Sequence, residues 1–330
     1  MNTRYIQRTL SVALSALLLT APALASDRGV NSGDRGPATR TELGPSPGTP
    51  NVRAGAAYAG MEQFTEADLR AAGAELTPQA EGVDPLHPEL AEMIEASPET
   101  IIGWDSRMRF YTTRYPNRAI VYIQYNNSHL CTGFMVSRNT VVTSGHCVHT
   151  GGANGNWRTP RLFQVFPGRN GVNSPYGSCG VTRLHSVVGW TRDGNHRFDY
   201  GALRLDCNIG NIVGWFGVYS PNDNMLTNAA TRVIGYPGDK AQQQWGSSDR
   251  VRRVEPRMVC YRDDTIGGNS GGPVWNDRNN GLFSSGAWAY GIHGYGIGGS
   301  VCGGANNQFN GGVRTVGPVV NRIIDWIQRP

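Results

Sequence analysis

From about Ile101 onward the chain alternates short apolar runs with clusters of Gly, Asn, Asp and Pro. The runs are Ala119 to Tyr125, Thr132 to Val136, Thr140 to Thr143, Leu162 to Phe166, Val181 to Val188, Gly201 to Leu205, Thr231 to Tyr236, Pro273 to Trp275 and Trp288 to His293. Val, Ile, Thr and aromatic side chains suit a pleated, half-buried surface, and the intervening residues suit turns, so each run predicts a strand. Many short strands at this spacing predict an all-β barrel or sandwich of about 230 residues. The C-terminus departs from the pattern. Between Pro318 and Gln328, the residues Val319, Val320, Ile323, Ile324 and Ile327 recur at helical spacing and predict one amphipathic α-helix docked on the β domain.

The first hundred residues read differently. Arg4 and Arg8, the apolar run Leu10 to Leu19 and the small-x-small site Ala23-Leu24-Ala25 form a signal-peptide pattern, which places residues 1–25 as a signal peptide cleaved after Ala25. The apolar run is shorter than the roughly 20 residues a spanning helix needs, so no membrane anchor is expected. Residues 26 to about 60 are rich in Gly, Pro, Ser, Thr and Arg and predict a flexible tail or linker. Two short helical patterns follow, Thr65 to Ala74 and Pro88 to Ala96, too little for a core of their own.

Charge divides the chain at the same place. Residues 1–100 hold 7 Arg against 13 Asp and Glu, whereas residues 101–330 hold 23 Lys and Arg against 12 acids. An acidic segment ahead of a basic domain in an exported chain suggests a propeptide, residues 26–100, held partly by charge complementarity; a plain spacer is the alternative. The acids also differ in kind: nine of the first thirteen are Glu, but Glu255 is the single Glu after residue 100. A basic domain raises the possibility of a polyanion partner, yet no zinc-finger or RNP-like motif accompanies it, and no nucleic acid is expected.

All six cysteines, Cys131, Cys147, Cys179, Cys207, Cys260 and Cys302, fall in the basic part. An even count in an exported protein favours disulfides over metal ligands. The pairing is open from sequence; Cys131 with Cys147, which flank successive strands, leads, followed by Cys179 with Cys207 and Cys260 with Cys302. His146 and His149 lie three apart, but no second ligand cluster completes a zinc site, so no metal and no cofactor are expected.

Three stretches carry candidate chemistry. In Thr143-Ser144-Gly145-His146-Cys147 a histidine follows a strand, and imidazole exchanges protons near neutral pH. His87, His129, His149, His185 and His196 lack such a setting and are read as structural. In Asp199-Tyr200-Gly201-Ala202-Leu203 an acid opens a strand, where it can hold a histidine tautomer. In Gly267-Gly268-Asn269-Ser270-Gly271-Gly272-Pro273 the glycines let backbone N–H groups converge on a developing oxyanion and let substrate reach the hydroxyl.

In the order His146, Asp199, Ser270 these stretches resemble the catalytic segments of the chymotrypsin-like serine proteases, an order that subtilisins and α/β-hydrolases do not share. The resemblance covers residues 101–330 and implies a double β-barrel with a C-terminal helix and an active site between the barrels. It implies Ser270 as nucleophile, His146 as base, Asp199 as its orienting acid, and the N–H groups of Gly268 and Ser270 as oxyanion hole. Ile102 to Arg107, Pro116 to Val121 and Ile292-His293 further resemble the bacterial glutamyl endopeptidases. That resemblance implies that Thr265 and His293 bind a substrate carboxylate.

Asp264 supports a competing reading, because it stands six residues before Ser270, where trypsin-like members carry the acid that holds Arg or Lys. Composition bears on the choice: one Glu and 22 Arg after residue 100 suit a Glu-cutting enzyme better than a tryptic one. Asn269 precedes the serine where the animal digestive enzymes carry an acid, so no ion pair to a freed terminus can form there. The resemblance to glutamyl endopeptidases implies instead that processing near Glu99 to Ile102 frees a terminus that lies near the specificity pocket. The expectation is a secreted, monomeric endopeptidase acting on proteins or peptides and associating with its own propeptide. A non-catalytic exported binding module on the same fold and a polyanion binder are the rivals from other classes.

Overall fold

A computed structural model of the chain describes residues 29–31, 100–277, 287–297, 302 and 309–329. The signal segment, both short helical patterns, His87 and Glu99 lie outside the described residues.

Among the described residues sixteen strands make two sheets. The first uses β1 (Gly29–Asn31), then, after β2 (Met108–Arg109), β3 (Ile120–Tyr125), β4 (Ser128–Met135), β5 (Thr140–Thr143), β6 (Phe163–Pro167), β7 (Cys179–Val187) and β8 (Gly201–Leu205). Its order is β1-β7-β6-β3-β4-β5-β8, and a further antiparallel pairing of β7 with β8 closes six of these strands into a barrel. The second sheet comprises β9 (Gly217–Val218), β10 (Ala230–Gly235), β11 (Trp245–Arg250), β12 (Arg253–Val254), β13 (Met258–Tyr261), β14 (Pro273–Asp277), β15 (Ala287–Tyr295) and β16 (Asn310–Arg314), together with β2. It runs β12-β13-β16-β15-β14-β10-β11-β2, with β9 parallel beside β15. Among the described residues no pair joins its two ends, so the second half of the expected double barrel is seen as a curled sheet.

Every predicted run lies on a strand, with shifts of a few residues at the ends; Leu162 falls in a 3-10 turn, Pro160–Leu162, just before β6. Within the segment expected to be a flexible tail, Gly29–Asn31 pair antiparallel with Val187 to His185 at a sheet edge, where backbone hydrogen bonding demands no apolar pattern.

The core runs through both sheets. Phe134 of β4 meets Phe216 edge-on with ring centroids 5.5 Å apart, and Phe216 meets Trp275 of β14 at 5.6 Å. Each such aromatic pair contributes about 0.5–1.5 kcal/mol beyond area burial. Three short helices, α1 (Val188–Thr191), α2 (Gly210–Val213) and α3 (Asp223–Leu226), serve the connections, and α4 (Gly317–Gln328) closes the chain. The α4 helix buries Val319, Ile323 and Trp326, and Trp326 packs on Tyr200 at 5.6 Å and His185 at 5.8 Å. Arg204 of β8 donates to the carbonyls of Trp326 at 2.6 Å and Ile327 at 3.1 Å, a cation on the negative end of the helix dipole.

All three disulfides follow the favoured pairing: Cys131–Cys147, Cys179–Cys207 and Cys260–Cys302. The first spans 16 residues and ties β4 to the turn after β5. Replacing both Cys131 and Cys147 by Ala should cost about 3 kcal/mol from unfolded-chain entropy, a fall of about 6–12 °C in Tm for a domain of this size, read by thermal melting.

Candidate active site

His146 sits in the 3-10 turn Gly145–Cys147 that ends β5, and the disulfide at Cys147 pins this turn to the barrel wall. Asp199 follows a second 3-10 turn, His196–Phe198, whose start is capped by the Asn195 side chain accepting from the Arg197 N–H. The two turns converge. Asp199, 1% exposed, accepts from the His146 backbone N–H at 2.7 Å and from Nδ1 of the same residue at 2.7 Å. The Tyr295 hydroxyl donates to the same carboxylate. Burial alone pushes this carboxyl up, but the His146 and Tyr295 interactions outweigh it and hold it below the ordinary carboxylate value. An ionised carboxylate can only accept, so Nδ1 of His146 carries the hydrogen and Nε2 is the basic nitrogen of the neutral ring.

Ser270 lies on the turn that leads into β14, a strand of the second sheet. Its carbonyl accepts from the Thr132 N–H at 2.9 Å and lies 3.9 Å from Sγ of Cys147, which sets the serine turn against the histidine turn. Two glycines make the approach possible. At Gly268, φ is +105°, and a Cβ would stand 2.5 Å from His129 Cε1 and 2.7 Å from the Tyr236 carbonyl. At Gly271, φ is +89°, and a Cβ would stand 2.1 Å from Thr143 Oγ1 and 2.2 Å from the Thr132 carbonyl. The Gly267 carbonyl accepts from the Gly238 N–H at 2.8 Å. Across the trans peptide the Gly268 N–H therefore points the opposite way.

Both residues of the expected carboxylate site have buried partners. His293 on β15 is fully buried, and its Nδ1 lies 2.7 Å from the Tyr261 hydroxyl. Tyr261 stands opposite Asn310 in the β13–β16 register, and Asn310 Nδ2 donates to Thr265 Oγ1 at 3.1 Å. The same Nδ2 lies 2.8 Å from the Asp263 carbonyl and 2.8 Å from the Thr100 carbonyl. Asp264 is 2% exposed and its carboxylate is committed elsewhere, accepting from Ile102 N–H at 2.7 Å, Ser106 N–H at 2.9 Å and Ser106 Oγ at 2.6 Å. The arrangement argues against Asp264 as the holder of a substrate Arg or Lys.

Tyr261, Tyr295 and Asn310 escaped sequence reasoning. Tyr295 follows His293 by two residues on one strand, a spacing that could have drawn attention; Asn310 sits in a Gly-rich stretch with no periodic signal. The structural reading suits the other histidines that are described. His129 stacks on Tyr122 at 4.4 Å, and burial drives its pKa down to about 3; His185 is likewise pushed to about 3. His149 Nδ1 accepts from the Gly151 N–H at 2.9 Å, and the exposed His196 stacks on Tyr295 at 4.5 Å. Among the described residues two groupings have donor spacing suited to a metal, Cys131 with His146 and Cys147, and Cys179 with Asp206 and Cys207. In each, both sulfurs are already joined in a disulfide.

A family model described as Trypsin matches residues 110–327, and the chain belongs to this family: it is a chymotrypsin-like serine endopeptidase. Among its relatives, the glutamyl endopeptidase of Bacillus licheniformis is 38% identical over 230 residues, covering 69% of each chain. A Bacillus subtilis protein named extracellular metalloprotease is 36% identical over 246 residues, covering 72% of this chain and 73% of its own. A solved Glu endopeptidase structure, bound to MPD, superposes with a TM-score of 0.58 at 29% identity, covering 69% of this chain and 99% of that one.

One buried acid near the pocket has no evident place in the chemistry. Asp263 accepts from the Thr231 hydroxyl through Oδ2, while Oδ1 meets no hydrogen-bond donor among the described residues. Burial pushes its carboxyl up to about 8. An unfolded aspartate titrates near 3.9, so the unfolded state releases this proton first as pH rises. The contribution to stability is full below about pH 4 and is lost as pH climbs to about 8. Asp263→Asn, which keeps the shape without the titration, should flatten the fall in stability over that range, as measured by denaturant unfolding at a series of pH values.

Proposed function

We propose that this serine endopeptidase is exported, matures by loss of residues 1–25 and 26–100, and cuts peptide bonds after glutamate. Ser270 Oγ attacks the scissile carbonyl while His146 Nε2 takes its proton; the N–H groups of Gly268 and Ser270 receive the oxyanion. His146 then protonates the leaving amine, and water resolves the acyl-enzyme by the same route in reverse. Asp199 keeps the ring in the needed tautomer and stabilises the imidazolium that forms. The observation that supports this assignment is the 2.7 Å link between a buried, ionised Asp199 and Nδ1 of His146.

For the glutamate preference the supporting observation is the fate of the acids and donors around Thr265. Asp264 is occupied by three donors from Ile102 and Ser106, while Thr265 and His293 offer a hydroxyl and an imidazole suited to a carboxylate. Both the B. licheniformis relative and the solved structure bear glutamyl endopeptidase names, and the scarcity of Glu after residue 100 agrees. Cleavage after Glu99 would be self-consistent with such specificity.

Peptides matched except for Glu, Asp, Arg or Leu before the scissile bond should be cut fastest at Glu. Ser270→Ala should lower kcat by about a million-fold, and residual activity close to wild type would end the nucleophile assignment. His293→Ala should lower kcat/KM on Glu peptides about 10- to 100-fold more than on Leu peptides, the scale of one hydrogen bond to a charged group.

A further inference from the structure

The Asp264 carboxylate holds a segment of chain 158 to 162 residues away in sequence. Its Oδ1 takes the Ile102 N–H, and its Oδ2 takes both the N–H and the hydroxyl of Ser106. Apolar burial does not explain the order of this strap, because Trp104 at its tip is 90% exposed. Polar ties do. Just beyond Ser106, the guanidinium of Arg107 is buried between Asp105, at 2.9 Å, and Asp239, at 2.7 Å. Asp239 adjoins Gly238, whose N–H holds the Gly267 carbonyl, so the strap is tied to both the pocket wall and the support of the serine turn.

The upstream end of the strap lies at the carboxylate site. The Thr100 carbonyl accepts from Asn310 Nδ2 at 2.8 Å and from the Thr265 N–H at 3.4 Å, and Asn310 Nδ2 also holds Thr265 Oγ1. A bare carboxylate one residue before Thr265 would repel a substrate carboxylate. Capped by three donors, Asp264 is screened, and what it contributes to the pocket is the position of the strap.

We propose that Asp264 is a positioning residue for glutamate recognition: it clamps Ile102 and Ser106 so that Thr100 is held against Thr265 and Asn310 as a wall of the substrate-carboxylate pocket. The inference rests on the glutamate reading and extends it. An acid where a cation-selecting group would stand serves anion selection by holding the strap of residues 102–106.

The test uses the full-length chain, processed and purified, as wild type, Asp264→Asn, Ser106→Ala, Ser106→Thr and the Asp264→Asn/Ser106→Ala pair. Peptides carrying Glu or the isosteric, uncharged Gln before the scissile bond supply the readout. In wild type Glu should be preferred over Gln. Asp264→Asn should reduce that preference by about tenfold, the scale of a lost hydrogen bond to a charged group, through a larger rise in KM for the Glu peptide than for the Gln peptide. Ser106→Ala should move the ratio the same way by less, Ser106→Thr should restore it, and the double variant should be no worse than Asp264→Asn alone.

A folded Asp264→Asn enzyme with an unchanged Glu/Gln ratio overturns the inference and leaves the glutamate reading standing. A wild type that does not favour Glu over Gln overturns the reading itself. Cleavage after Arg that disappears in Asp264→Asn overturns both. Should Asp264→Asn fail to fold, the Ser106 pair decides: no shift in Ser106→Ala, or no recovery in Ser106→Thr, counts against the clamp.

Discussion

The buried carboxylate of Asp199 imposes the strictest condition on this structure. An ionised group removed from water is tolerated only where donors replace its hydration. Here the replacement comes from three places: the backbone of the turn after β5, the ring of His146, and the hydroxyl of Tyr295 at the end of β15. The first two belong to the closed barrel and the third to the second sheet. Satisfying one charge therefore fixes how the sheets meet, and the same convergence brings the Ser270 turn against the Cys131–Cys147 corner.

Three aspartates near the pocket show how surroundings decide chemistry for one side chain. Asp199 has three donors from the His146 and Tyr295 groups and stays charged. Asp263 is as deeply buried, receives one hydroxyl from Thr231, and holds its proton up to about pH 8. Asp264, the next residue, has its carboxylate wrapped by Ile102 and Ser106. Asp199 and Asp263, equally buried, thus carry different charge because burial penalises ionisation unless donors offset it.

Legibility from sequence followed the range of the interactions involved. Strands such as β3 and β5 announce themselves because every residue obeys a local preference, and α4 does so through its period. Strands β11 and β16 were not read, since Trp245–Arg250 and Asn310–Arg314 are polar or Gly-rich and owe their extension to neighbours in the sheet. The curvature that carries β16 between β13 and β15 places Asn310 within reach of both Thr265 and Thr100, a juxtaposition with no local mark.

The chain by itself determined the strand-rich class, the C-terminal helix, the cysteine set and the identities and order of His146, Asp199 and Ser270. Those are properties of local composition and of short strings whose chemistry is legible residue by residue. Only the tertiary structure decided that Tyr295 joins Asp199, that Tyr261 backs His293, and that Asp264 faces Ile102 and Ser106. Each depends on groups tens to hundreds of residues apart meeting within hydrogen-bond distance, and only the packing of the two sheets sets such distances.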